Sequence, residues 1–167
     1  MPKLPSLFHC ILLSAVAMIA SCERKTSPPY GKDINRLRKL IDLPIAPLEA
    51  WYGTLPRGVS SWVPGPTDWV FVAVMRFDPL ALKQLLDTTS LDERTPATIS
   101  RSDVAPWFPH EVASAFTPFD EKQYKVKGRE FTATPFAAKP GTLSDHGSVG
   151  TFIVLDGSPF VILQRDF

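Results

Sequence analysis

Two pairs of neighbouring residues, His110-Glu111 and Asp145-His146, are the parts of the sequence best suited to acid–base chemistry. A histidine beside a carboxylate can act as a general base or as a metal ligand. The residue four positions after His110 is Ser114, so the H-E-x-x-H pattern of zinc enzymes is absent. Adjacent residues also point in different directions on a helix. We therefore expect His110 to be a residue of a first helical turn without a catalytic role, and Asp145-His146 to form a hydrogen bond within a loop.

The other reactive side chains do not match a known catalytic motif. A serine nucleophile needs a base and an orienting acid, and the G-x-S-x-G pattern is absent. The nucleotide-binding patterns G-x-x-x-x-G-K-[ST] and G-x-G-x-x-G are absent as well. The carboxylate pairs Asp92-Glu93 and Asp120-Glu121 lie in charged segments typical of solvated surface. We therefore predict a protein that is not an enzyme and that needs no metal or cofactor.

The overall charge of the chain is balanced, with 18 Lys and Arg residues against 17 Asp and Glu residues. A nucleic-acid-binding surface requires an excess of positive charge, so nucleic acid is not an expected partner. The 17 prolines are scattered along the 167 residues, which indicates many rigid turns rather than a disordered proline-rich tail.

The N-terminal segment has the organisation of a secretory signal. Lys3 supplies a positive charge, Leu7–Ala20 is mostly apolar, and small residues precede Cys22. The four residues Ile19-Ala20-Ser21-Cys22 resemble the lipobox of bacterial lipoproteins. This resemblance covers residues 1–22. It implies cleavage between Ser21 and Cys22, followed by attachment of lipid to the cysteine.

The lipobox resemblance also implies where the protein works. Such lipoproteins carry a diacylglyceryl group, and usually a third acyl chain such as palmitate, on the cysteine. Two or three chains make membrane attachment effectively permanent. In these families an aspartate after the cysteine favours the inner membrane, whereas Glu23 follows Cys22 here. The resemblance therefore implies a lipid anchor at Cys22 in the cell envelope, in the outer membrane and facing the periplasm.

Two alternatives to lipidation remain open at this point. An ordinary secreted protein would be cleaved near Ala20 without receiving lipid. A retained membrane anchor would need roughly 20 apolar residues, which is more than Leu7–Ala20 supplies.

The lipoprotein interpretation divides the chain into three parts. Residues 1–21 are the signal peptide, residues 22–32 are the lipidated N-terminus and tether, and residues 33–167 form a single domain. No disulfide is expected in the mature chain, because Cys10 is removed with the signal and Cys22 is acylated. Extended, residues 23–32 could span about 30 Å between membrane and domain.

Hydrophobic periodicity and turn signals predict an α+β domain. Asp33 and Asp78 are expected to cap helices, and Asp156-Gly157 is expected to turn a hairpin. The predicted elements are helices 34–41, 79–86 and 109–116, a helical turn at 47–51, a buried strand 69–77, a short strand near 97–100, and hairpins 123–127 with 130–136 and 149–155 with 160–165. The expected fold is an antiparallel sheet of about five strands, with two or three short helices packed on one face.

Residues 51–68 are predicted to be a loop rich in aromatic residues, proline and glycine. Such a loop can fold back over the core, or it can form a recognition surface, for which Trp51, Arg57 and Trp62 are the candidates. The leading hypothesis is a non-enzymatic binding, inhibitory or accessory lipoprotein with an envelope protein as partner. A structural lipoprotein is the first alternative. A small envelope hydrolase using His146 and Asp145 is the second.

Overall fold

The computed structural model describes residues 30–56, 69–88, 97–143 and 150–166, which contain eight strands and three α-helices. The strands are β1 (Glu49–Pro56), β2 (Trp69–Arg76), β3 (Thr98–Ser100), β4 (Phe116–Pro118), β5 (Gln123–Val126), β6 (Gly128–Thr132), β7 (Thr151–Leu155) and β8 (Phe160–Asp166). The helices are α1 (Ile34–Leu40), α2 (Pro79–Thr88) and α3 (His110–Ala113), and short 3-10 turns occupy Arg101–Asp103 and Thr134–Phe136.

Five strands form an antiparallel sheet in the order β1-β2-β8-β7-β6. The predicted buried strand is confirmed as β2, in which every residue from Val70 to Met75 is buried. Successive side chains of a strand point to opposite faces, so a strand covered on both sides reads as a continuous apolar run. The main sheet is therefore a middle layer with a core on each face.

The first face of the sheet, which we call the helix face, is covered by α1 and α2. Leu37 of α1 and Leu85 of α2 belong to the same buried cluster as Phe71 and Met75 of β2. Both predicted caps are confirmed. The Asp33 carboxylate accepts hydrogen bonds from the N–H groups of Asn35 and Arg36, and the Asp78 carboxylate accepts from those of Leu80 and Ala81.

The opposite face is covered by a small second sheet in the order β3-β5-β4, together with α3, and we call it the second-sheet face. Val72 and Val74 of β2 share a buried cluster there with Ile99, Val112 and Val126. The predicted fold class is confirmed, with five antiparallel strands, α1 and α2 packed on one face, and the third short helix on the other.

A buried polar pair connects the second layer to the main sheet. Asp103 is fully buried, and its carboxylate accepts hydrogen bonds from the Gln164 side-chain amide at 2.8 Å and the Ser102 hydroxyl at 2.9 Å. A buried carboxylate is costly unless its lone pairs are satisfied, so this contact favours one register of the two layers.

The predicted hairpin of 123–127 with 130–136 is wrong. Gln123–Val126 pairs within the second sheet, whereas Gly128–Thr132 pairs with β7 in the main sheet. The chain changes sheets at Gly128, where a Cβ atom would overlap the Val154 carbonyl oxygen. Both segments do contain a strand, but local sequence does not reveal which strand becomes the partner.

The predicted helical turn at 47–51 and the loop start at Trp51 are also wrong, because Glu49–Pro56 forms strand β1. This strand lies at the sheet edge, where the Gly53 and Pro56 that suggested a loop are tolerated. The third predicted helix is shorter than expected, since α3 ends at Ala113 and Phe116 begins β4.

The last predicted hairpin is confirmed. Strands β7 and β8 pair around Asp156-Gly157, and Gly157 adopts a positive φ of 65°. Glycine has little steric penalty in that conformation, which explains why the local sequence identified this turn.

Candidate functional site

Most of the residues predicted to have a function lie outside the described residues. These are Ser21 and Cys22 of the lipobox, Arg57 and Trp62 of the predicted recognition loop, and Asp145 and His146. Trp51 is described, but as a half-buried residue of β1 rather than as part of a loop. Its ring centroid lies 6.2 Å from that of Phe160, so Trp51 contributes to the border of the core.

The described candidates for acid–base chemistry are surface residues. His110 is the exposed first residue of α3, and Glu111 beside it is also exposed. The carboxylate of exposed Asp120 accepts hydrogen bonds from the backbone N–H groups of Lys122 and Gln123, which is turn chemistry. Within the four described ranges, no three His, Cys, Asp or Glu residues are grouped as metal ligands.

The first distinctive site is the point where the N-terminal segment meets the domain. We call it the clamp and define it as Tyr30, Gly31, Lys32 and Asp33 with Tyr52 of β1. Gly31 donates to the Tyr52 carbonyl at 2.7 Å and accepts from the Tyr52 N–H at 3.0 Å. The Tyr52 hydroxyl donates to the Asp33 carbonyl at 3.1 Å. The N-terminal segment is therefore held at the edge of β1 just before α1 begins.

Gly31 is needed in the clamp because of a close approach. A Cβ atom at this position would lie 2.7 Å from the Tyr52 hydroxyl oxygen and would overlap the ring. Tyr52 is itself buried in the core of the helix face, so its ring has little freedom to move aside. Only glycine fits without displacing that ring.

Burial favours the neutral form of the clamp tyrosine. It raises the pKa of Tyr52 above the ordinary value of 10.0; the nearby Arg36 charge opposes this shift and the Asp33 charge reinforces it. The phenol therefore keeps its proton, and its role as a hydrogen-bond donor, at neutral pH.

The second site extends from the clamp along the second-sheet face. We call it the aromatic row and define it as Tyr30, Trp107, Phe108, Phe116 and Tyr124. Successive ring centroids are 5.4, 5.0, 6.1 and 5.9 Å apart. The Lys32 Nζ atom lies 5.6 Å from the Tyr30 ring at one end, and the Arg101 guanidinium lies 4.8 Å from the Tyr124 ring at the other. The row is thus bounded by cation–π contacts at both ends.

The third site is an open groove between α2 and the β7–β8 hairpin. It has a volume of about 380 Å³, within the size range of ligand pockets. We call it the α2 groove, and it is lined by Pro79, Leu82, Leu86, Arg129, Val154, Leu155, Asp156, Gly157, Ser158 and Pro159. Its lining is mostly apolar, and its charged groups are Arg129 and Asp156. The Arg129 guanidinium lies 5.6 Å from the Phe131 ring, and it makes no ion pair with another described residue.

A second depression, of about 470 Å³, lies beside the end of α1. It is more polar, with Arg38, Asp42 and Lys139 in its lining. The Lys139 ammonium and the Asp42 carboxylate are 3.9 Å apart, at the limit of an ion pair. This arrangement partly neutralises the depression, so it is a weaker candidate for ligand binding than the α2 groove.

The clamp and the α2 groove lie toward opposite edges of the main sheet. The clamp is on β1, the first strand in the sheet order, whereas Arg129 and Leu155 belong to β6 and β7. Four strand spacings separate β1 from β6, which is about 19 Å. The clamp and the α2 groove are therefore separate sites on the domain.

Sequence reasoning identified neither the clamp nor the groove. The sequence assigns Gly31 to the tether and gives Trp107 no functional role. The clamp had no local signal, because Gly31 meets Tyr52 only through pairing with a distant segment of the chain. The groove had no local signal, because its residues come from three separate segments.

Comparison with protein-family models, with curated proteins and with solved structures found no match. Among residues 30–56, 69–88, 97–143 and 150–166, no helix has the length and apolar character needed to cross a bilayer. The inference of function therefore depends on the residues described above.

Proposed function

We propose that this protein is a bacterial lipoprotein anchored in the cell envelope through acylated Cys22, and that its domain is a non-enzymatic module that binds another envelope protein. The lipobox-like residues Ile19-Ala20-Ser21-Cys22 support the anchor. The observation that carries the proposal is the separation of two sites: the N-terminal segment is held at one edge of the sheet, and an open apolar groove lies toward the other.

The clamp gives the tether a defined end. The chain from Cys22 to Tyr30 can span at most about 28 Å when fully extended. Beyond that point, the backbone pairing of Gly31 with Tyr52 fixes the chain to the domain. The anchor therefore holds the β1 edge near the bilayer and leaves the α2 groove accessible to a partner.

The lining of the α2 groove indicates the chemistry of the partner. Leu82, Leu86 and Val154 offer apolar contacts, and Arg129 offers a guanidinium that can pair with a carboxylate. Lys83 is exposed on α2, beside Pro79 and Leu86, because residues three or four apart are neighbours on a helix. The apolar lining with Arg129 favours a protein segment with apolar side chains and an acidic residue, and Lys83 offers a position for a probe at the rim of the groove.

The anchor is tested by replacing Cys22 with Ser in the full chain. The proposal predicts that wild type is recovered with the membrane fraction and that Cys22→Ser is not. A Cys22→Ser chain that still sediments with membranes would show that attachment does not depend on lipid at this residue.

The binding role is tested by site-specific photocrosslinking in cells. A benzoylphenylalanine in place of Lys83 should capture one discrete envelope protein, and the same group in place of exposed Thr54 on β1 should not. Arg129→Glu should abolish that crosslink, and Arg38→Glu, on α1, should leave it intact. Absence of a crosslink at position 83, or a crosslink insensitive to Arg129→Glu, would contradict the proposal.

A further inference from the structure

We propose that the aromatic row, with Lys32 and Arg101 at its ends, is the surface on which the domain rests against the bilayer that holds Cys22. This inference rests on the lipid anchor proposed above. It goes further, because an anchor alone would allow the domain to tumble at the end of its tether.

The chemistry of the row suits the headgroup region of a bilayer. Tyr30, Trp107, Phe116 and Tyr124 are half-buried and therefore keep part of each side chain accessible. Tyrosine and tryptophan are enriched at membrane–water interfaces, where the apolar ring contacts acyl chains and the polar tip remains hydrated. The row has Tyr30 and Trp107 at one end and Tyr124 at the other, so both ends combine an apolar ring with a polar group.

The two terminal cations add contacts to lipid phosphate. Lys32 and Arg101 are both exposed. The Lys32 ammonium lies beside the rings of Tyr30 and Trp51, and the Arg101 guanidinium lies beside the ring of Tyr124. Long basic side chains can lay their stems along apolar surface and extend the charged head toward a phosphate. The cations therefore face the same interface as the rings.

The tether places this particular surface within reach of the bilayer. Tyr30 is both the first ring of the row and the residue that directly precedes the clamped Gly31. Seven residues separate it from Cys22, so the row begins no more than about 28 Å from the anchor. No other described surface is closer to the anchor along the chain.

An exposed aromatic residue stands in the turn next to the far end of the row. Phe119 is 60% exposed, and its N–H donates to the Gln123 carbonyl at 3.2 Å, next to Tyr124. The same turn carries the exposed acids Asp120 and Glu121. These charges offset the cations, so we expect contact to depend mainly on the rings and only weakly on salt.

The orientation of the row against the bilayer also determines which way the α2 groove faces. The row lies on the second-sheet face, whereas the α2 groove is formed with α2 on the helix face. With the row against lipid, the groove faces away from the bilayer and toward the aqueous compartment.

The test uses the lipidated full chain in vesicles of phosphatidylethanolamine and phosphatidylglycerol that contain a headgroup spin-labelled phospholipid. The spin label should quench tryptophan fluorescence of the wild type. Trp107→Phe should reduce that quenching, and the remainder is expected from Trp51, whose ring lies 5.8 Å from the Lys32 Nζ atom at the end of the row. Trp69→Phe should retain the quenching. Trp69 is 37% exposed, but it lies two residues before Phe71 in β2 and so points to the same face as Phe71, the helix face.

A second readout does not require removal of a ring. A fluorescent nitrobenzoxadiazole group attached to Pro118→Cys should brighten in vesicles, because exposed Pro118 pairs with Tyr124 and lies on the same face of β4 as Phe116. The same group on Lys83→Cys should not brighten. Vesicle attachment without quenching, equal brightening at both positions, or quenching that depends on Trp69 would overturn this inference and leave the anchor standing. A wild-type chain that does not remain with vesicles would refute the anchor and this inference together.

Discussion

The two edges of the main sheet are built in opposite ways. At the β1 edge, the clamp satisfies backbone and side-chain polar groups and leaves no room for a Cβ atom on Gly31. Toward the β6–β7 edge, α2 and the hairpin leave an open groove with Arg129 in its lining. Tight complementarity is expected where a chain must be held, and an unfilled apolar surface where something else must bind.

The comparison predicts that clamp substitutions reduce stability, whereas groove substitutions reduce binding with little change in stability. The variants below separate these two outcomes, from the largest expected loss of stability to the smallest.

Gly31→Val should have the largest effect. Its side chain would overlap the Tyr52 ring and force apart the N-terminal segment and β1. Overpacking of this kind typically costs about 2 kcal/mol of unfolding free energy, measurable by urea denaturation. Gly141→Ala is a suitable control, because a Cβ there meets nothing and the cost comes only from its positive φ of 74°. Equal losses in the two variants would show that the clamp is not tightly packed.

Asp78→Ala should cost about 1 kcal/mol through loss of the α2 cap. Its carboxylate accepts from the N–H groups of Leu80 and Ala81, next to Pro79 in the groove wall. Asp78→Asn retains an acceptor and should recover most of the loss. A thermal midpoint unchanged in Asp78→Ala would refute the importance of this cap.

Tyr52→Phe should also cost about 1 kcal/mol at neutral pH, since one hydrogen bond to the Asp33 carbonyl is lost. The ring remains, so the packing against Gly31 is retained. Equal urea midpoints for Tyr52→Phe and wild type at pH 7 would indicate that this hydroxyl does not stabilise the clamp.

The same tyrosine predicts a difference at alkaline pH. The folded chain holds the pKa of Tyr52 above 10.0, so the unfolded chain loses the phenol proton first as the pH rises. The stability from this group is fully present below pH 10 and falls as the pH passes through the raised value. Urea titrations above pH 10 should therefore show a steeper loss in wild type than in Tyr52→Phe. Parallel curves would contradict the raised pKa.

Arg129→Glu should have the smallest effect on stability, within about 0.5 kcal/mol, because the side chain is exposed. It should nevertheless abolish crosslinking from position 83. A large loss of stability would place Arg129 with the structural residues and remove the contrast between the two edges.

The parts of the fold that local sequence determines were predicted well. The continuous apolar run of β2 identified a strand covered on both faces, and Asp78 followed by Pro79 located the start of α2. Asp156-Gly157 located the last hairpin. In each of these cases, the residues that determine the element are neighbours in the sequence.

The wrong predictions concern segments whose structure depends on pairing with strands that are distant in the sequence. Gln123–Val126 and Gly128–Thr132 look like one hairpin but join different sheets, because each buries its apolar side in a different core. Trp51 looked like a loop aromatic because Gly53 and Pro56 follow it, and an edge strand accepts both. The clamp and the groove depend on the same long-range pairing and could not be read locally.

The anchored orientation of the domain depends on one modification, which a single measurement can test. The intact mass of the protein should be determined after detergent extraction of the membrane fraction. A chain of residues 22–167 that carries two or three acyl chains is the predicted result. An unmodified chain, or one that still begins at Met1, would contradict the anchor at Cys22 and the orientation inferred from it.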